Sequence, residues 1–211
     1  MKKVLVPAIV SASLFLWGFG QIIDRVVAVV NDKVITLTDI KIAAAFGLYD
    51  PEGERGTGVE NERILKALID QKVVLDLAQE NVSLDPSEIR EEFDKAVARL
   101  GREGFQKRLD EFGLDEASIR PYLEEKRLLE KIIAMRFNQR SVVSLQEIET
   151  YYRETYVPQE RSNGREPQPM VQILDKLEAG IREAKRAEQV ASWIENLRSQ
   201  ADIHISKDPL K

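Results

Sequence analysis

The stretch Val26-Val-Ala-Val-Val-Asn-Asp-Lys-Val-Ile-Thr-Leu-Thr-Asp39 sets the architecture of this chain. Val26 to Val30 is a β-branched run of the kind that forms strands. Asn31-Asp32-Lys33 then reads as a turn, because Asn and Asp tolerate the backbone angles that tight turns require. Val34-Ile35-Thr36-Leu37 resumes strand composition, so the stretch is predicted to be a β-hairpin. An isolated hairpin is marginal in water and needs a third strand or a helix to pack on. Thr38 is the expected N-cap of a following helix, with Asp39 favourable in its first turn. That helix carries Ile40, Ala43, Ala44 and Phe46 and ends at Gly47. Far away, Asp202-Ile-His-Ile205 alternates polar and apolar residues, as a half-buried strand does. All three strands are satisfied by one small sheet in which the C-terminal strand returns to the hairpin.

Helical spacing dominates between these ends. Glu60 to Glu80 places Ile64, Leu65, Leu68, Ile69, Val73 and Leu75 or Leu77 on a broad apolar face. Asp85-Pro-Ser-Glu88 is a start signal with cap, first-turn proline and capping-box glutamate. Ile89, Phe93, Val97 and Leu100 follow at steps of three and four, to a stop at Gly101. Gly104 to Phe112 predicts a short helix with Phe105, Leu109 and Phe112 on one side. Asp115 caps another that runs to about Asn138, with Pro121 placed to bend it or delay its start. Ser144 and Glu147 form a further capping box. Val157 to Pro169 holds Pro158, Gly164, Pro167 and Pro169 and reads as a linker, and Met170 to Gln200 as a long charged helix interrupted by Gly180. The expected fold is therefore mainly α, a multi-helix core with a small antiparallel β element formed by the N-terminal hairpin and the C-terminal strand. No solenoid-type repeat is present.

Composition narrows the function classes. Hydrophobic residues make up 43% of the 211, enough for a core, and the net charge of −5 gives no electrostatic footprint for nucleic acid. There is no cysteine, which removes disulfides, thiolate nucleophiles and cysteine metal sites, and a single histidine, which removes any His-pair site. Lys2 and Lys3 followed by the apolar run Val4 to Trp17 read as a signal peptide over residues 1–20, with Gly18 and Gly20 before the expected cleavage at Gln21. The alternative is an uncleaved inner-membrane anchor, which Pro7, Ser11 and Ser13 weaken. Loss of the leader takes the charge from −5 to −7 and leaves no stable membrane insertion.

At this point the chain resembles the SurA family of periplasmic chaperones. The likeness is carried by the hairpin motif Val26 to Asp39, by Asn61 to Glu80, by Asp85-Pro-Ser-Glu-Ile89, by Ser144 to Tyr152, and by Trp193-Ile-Glu-Asn-Leu-Arg198 with Ala201-Asp-Ile-His-Ile205. The order of these motifs makes the case. Family members commonly insert a parvulin isomerase domain where this chain has Val157 to Pro169, a stretch too short to form a domain. The resemblance divides the mature chain into an N-terminal chaperone region (21–156), a linker in place of the parvulin domain (157–169), and a C-terminal helix and strand (170–211) that complete the same domain. It implies an ATP-independent holdase in the periplasm that binds unfolded clients, outer-membrane proteins among them, without enzymatic activity, cofactor or metal. The alternatives are an envelope scaffold or assembly factor for one dedicated partner and, less favoured, a prolyl isomerase. The returning C-terminal strand can close in cis or across a domain-swapped homodimer.

Candidate chemistry is sparse. Asp85/Glu88 and Ser144/Glu147 sit at capping distance and read as caps rather than catalytic pairs. Gly53, Gly56 and Gly58 lack the Lys-Ser/Thr of a phosphate loop. His204 falls in the predicted last strand. Tyr151, Tyr152, Tyr156 and Met170 flank the linker and are the candidate client-binding residues, since aromatic and Met side chains accept many partners; packing against the last helix is the competing role.

Overall fold

The computed structural model describes residues 24–49, 58–78, 82–138 and 142–207. The expected signal peptide and most of the glycine-containing segment 50–58 lie outside these residues. The hairpin forms as β1 (Val26–Val30) and β2 (Lys33–Thr36), antiparallel, and β3 (Ile203–Ile205) pairs antiparallel on the other side of β1. The strand order is β2-β1-β3. A register shift between Val26 and Ala28 lets the consecutive residues Val27 and Ala28 both face the core. Asn31 takes φ 53°, the left-handed turn conformation expected of it. It also joins three elements: its amide donates to Asp76 Oδ2 at 2.7 Å, its N–H donates to the Asp202 carbonyl at 2.7 Å, and its Oδ1 accepts from the Asp202 N–H at 2.9 Å.

Helix α1 (Leu37–Ala45) starts earlier than predicted. Thr36, not Thr38, is the N-cap, and Asp39 closes a capping box by accepting from the Thr36 N–H at 2.8 Å. A threonine precedes and follows Leu37, and pairing of Thr36 with Val26 in the sheet fixes which one stands at the boundary. Helix α2 (Gly58–Ala78) buries Ile64, Leu65, Leu68, Ile69, Val73, Val74 and Leu75, so it runs through the middle of the molecule. Helices α3 (Pro86–Leu100), α4 (Arg102–Phe112) and α5 (Glu116–Arg136) follow, and the core around Phe46 includes Phe105 edge-on at 5.4 Å with Leu109, Ile119 and Leu123. Pro121 lies inside α5 and does not delay its start.

After α6 (Leu145–Tyr151) the chain makes one π-helical turn, 152–156, and continues into α7 (Val157–Ser162). The first residues of the stretch 157–169 are therefore helical. Pro158 brings no N–H to a helical ladder, and the turn before it is widened so that the Val157 N–H reaches back to the Tyr152 carbonyl. The last helix, α8 (Leu174–Gln200), follows a single 3₁₀ turn at Met170–Gln172. Its first half packs Leu177 and Ile181 with Ile148 and Tyr156, and its second half lays Trp193, Ile194 and Leu197 on Val74, Leu75 and Ile132. One helix thus fastens the small α6–α7 unit to the larger body, and Arg198 pairs with Asp70 of α2 at 2.8 Å.

Candidate functional site

Helices α3 and α5 pack against each other. Asp85 caps α3 by accepting from the Ser87 N–H at 2.9 Å, Pro86 occupies the first turn, and Glu88 completes the capping box. That start fixes which residues point toward α5. Glu88 meets Arg127 at 2.9 Å and Lys131 at 2.6 Å, while Glu92 meets Lys126 at 3.0 Å and Lys95 at 2.6 Å. Lys131, the Asp85 N–H and Arg127 hold the Glu88 carboxyl down to about 2. Glu92 is 3% exposed; burial pushes its carboxyl up, but the two lysines outweigh that and keep it below the ordinary glutamate value.

The same helix pair also carries an open apolar cleft. Pro86, Ile89 and Phe93 of α3 and Ala117 and Leu123 of α5 line a cleft of about 390 Å³, rimmed by Arg90, Glu116 and Arg120. A second cleft of about 460 Å³ shares Ile89 and adds Val82, Leu84, Pro121 and Leu128, with Glu124 and Glu125 at its edge. Ile89 lines both, so the two clefts adjoin at this side chain and together make up the α3–α5 groove. Ile89 and Phe93 are half-buried although their spacing matches that of a core stripe, while Ala96 and Glu92 take the buried positions of α3. The ion pairs of Glu88 and Glu92 tie the two helices together beside these clefts. Apolar walls, a mixed-charge rim and an open mouth suit the binding of chain segments without a demand for one sequence.

The four residues singled out in the sequence come together elsewhere. Tyr151, Tyr152, Tyr156 and Met170 all belong to the cluster under α6, α7 and the start of α8. Tyr156 is buried, and Tyr152 stacks on it with ring centroids 5.6 Å apart. The Tyr152 hydroxyl donates to the Gln168 carbonyl at 2.9 Å, and the Gln168 N–H donates to the Tyr156 hydroxyl at 3.4 Å, so these rings hold down the connection to α8. Tyr151 also lines a cleft of about 400 Å³ with Gln146, Glu147, Thr150, Glu154, Thr155 and Ile181. Glu147 there is held down to about 2 by Lys185 and the Ser144 cap. His204 is exposed on β3 and lies 3.1 Å from Asp202. Among the described residues no cluster of His, Cys, Asp or Glu is arranged to hold a metal ion. No helix among them is long and apolar enough to cross a membrane.

The groove at α3–α5 was not singled out in the sequence. The signal was present in Ile89 and Phe93, but periodicity does not separate a stripe covered by another element from one left open.

No family model matches the chain. Among curated proteins it is similar to the chaperone SurA of Hahella chejuensis, with 23% identity over 190 residues, covering 86% of this chain and 43% of that protein. The chain thus spans less than half the length of that relative. The likeness is that of a distant SurA-like chaperone relationship, and it agrees with a mostly helical chain that carries a small three-stranded antiparallel sheet.

Proposed function

We propose that this protein is an ATP-independent holdase of the bacterial periplasm, binding extended apolar segments of unfolded envelope or outer-membrane proteins in the α3–α5 groove. The observation that carries the reading is the pair of adjoining clefts at α3–α5: Ile89 lines both, with Phe93 and Leu123 lining one from the core side and Pro121 and Leu128 lining the other. The distant likeness to SurA supports the same reading. Holding requires weak binding to many sequences, which shallow apolar contact supplies without chemistry. The acidic net charge keeps an empty, partly apolar surface soluble. In this reading the chain acts without catalysis, and the leader at residues 1–20 exports it.

The reading is tested by crosslinking. A photoreactive side chain at Ile89 should capture a urea-denatured outer-membrane β-barrel protein, and one at Lys107, an exposed position of α4, should not. Equal capture at both sites would sink the groove assignment. Capture of one envelope protein but not of unrelated unfolded chains would favour a dedicated assembly factor.

A further inference from the structure

We infer that the N-terminal half of α3, Pro86 to Glu92, is a hinged wall, latched onto α5 by ion pairs and parting from it when they break. What this does for clients rests on the groove reading above. The two halves of α3 are held by unlike forces. Apolar packing holds the C-terminal half: Ala96 is 1% exposed, Phe93 meets Phe105 edge-on at 5.0 Å, and Val97 and Leu100 pack on the same core. Arg99 adds a hydrogen bond to the Phe46 carbonyl at 2.6 Å. From Pro86 to Glu91 no residue is buried, and the first buried one is the charged Glu92. This half is tied to α5 by Glu88, paired with Arg127 and Lys131, and by Glu92, paired with Lys126.

The latch opens without stranding a charge. Breaking a buried ion pair is costly when the remaining group is left uncompensated. Here the groups that cross the seam have second partners on their own side. Glu92 keeps Lys95 of α3 at 2.6 Å, and Lys126 keeps Glu130 of α5 at 2.5 Å. Arg127 keeps Glu130 at 3.6 Å, and Glu88 keeps the Asp85 N–H at 3.0 Å. Lys131 also holds the Ser83 carbonyl at 3.0 Å; it is only half-buried, so it returns to water. Partly exposed ion pairs are individually weak and are screened by salt, whereas apolar packing is not. The ion-paired half is therefore the first part of α3 to leave, with the hinge near Phe93. Pro86 and Ile89 line one cleft, and Val82, Leu84 and Ile89 line the other. Parting of this half widens both clefts, so one groove accepts side chains of different bulk.

The chain has no cysteine, so a pair of spin labels is placed without competing thiols. The experiment uses the chain from Gln21 labelled at Glu91→Cys on α3 and Ala134→Cys on α5, both exposed positions, with Ala98→Cys and Ala134→Cys as the control pair. Circular dichroism checks that each labelled protein is folded. Pulsed electron paramagnetic resonance reads the distance distributions at about 0.02 M and about 0.5 M sodium chloride. The pair at 91 and 134 should gain a longer distance whose share at least doubles in high salt, and Glu88→Gln should show the same gain already in low salt. The pair at 98 and 134 should not change. No change at 91 and 134 with salt and with Glu88→Gln, or an equal shift in both pairs, would overturn the latch. Adding the peptide Ser-Leu-Val-Phe-Val-Leu-Ser in low salt should raise the longer distance as well. Opening by salt and by Glu88→Gln without any response to the peptide would leave the latch standing and count against the groove reading instead.

Discussion

Ile89 illustrates how little of a residue's role its hydrophobicity decides. It occupies the first turns of α3, is half-buried, and forms the wall common to both clefts. Full burial of such a side chain is worth about 1.5–3 kcal/mol, so a half-buried one contributes on the order of 1 kcal/mol. Ile89→Asp is therefore expected to lower stability by no more than about 1.5 kcal/mol in urea unfolding while weakening client binding by about five-fold or more. Phe105 is the contrast. It is 3% exposed and meets Phe46 and Phe93 edge-on, so Phe105→Ala should cost about 3–5 kcal/mol by the same measurement. Glu88 gives a pH signature. Its folded pKa of about 2 lies below the ordinary 4.5, so the stability it adds is present above pH 4.5 and is lost as pH falls toward 2. Glu88→Gln should flatten the loss of stability between those values, and an unaltered acid-unfolding curve would contradict the Lys131–Glu88–Arg127 contacts.

Elements were legible where a local signal decides them. The caps at Asp85 and Ser144, the turn at Asn31 and the stop at Gly101 depend on a few adjacent residues, and all form where the sequence places them. Even the return of β3 to β1 followed from the need to satisfy strand backbone. Boundaries shifted where a distant contact arbitrates: Thr36 became the α1 cap because the sheet ends there, and Val157–Ser162 stayed helical because a π turn absorbed Pro158. The groove was illegible for the same reason, since nothing within α3 says whether α5 covers Ile89. Two element-scale predictions follow from the packing. Gly180→Ala in α8 should stabilise by up to about 1 kcal/mol, the helix-propensity difference. The new methyl would sit 3.7 Å from the Tyr151 hydroxyl, an ordinary contact. Ending the chain at Ala201 removes β3, its pairing with β1 and the packing of Ile203, and should cost on the order of 3 kcal/mol in urea unfolding.

At the scale of the molecule, α8 decides whether the chain behaves as one body. It packs on the α6–α7 unit at one end and on α2 and α5 at the other, where Arg136 lies over Trp193 at 4.8 Å and Phe137 meets the same ring edge-on. Of the two tryptophans, Trp17 falls within the expected leader, so a chain from Gln21 reports through Trp193 alone. Its fluorescence and the helical circular dichroism should unfold together, and separate transitions would show that the small unit melts independently. In the proposed function the α3–α5 groove is the place where an unfolded partner meets apolar surface. The most direct test is light scattering of a denatured outer-membrane β-barrel protein diluted into ATP-free buffer with the chain from Gln21 or its Ile89→Asp variant. The account predicts suppressed aggregation near stoichiometric amounts by the wild type and clear loss of that protection in folded Ile89→Asp; equal protection by both, or none by either, would contradict it.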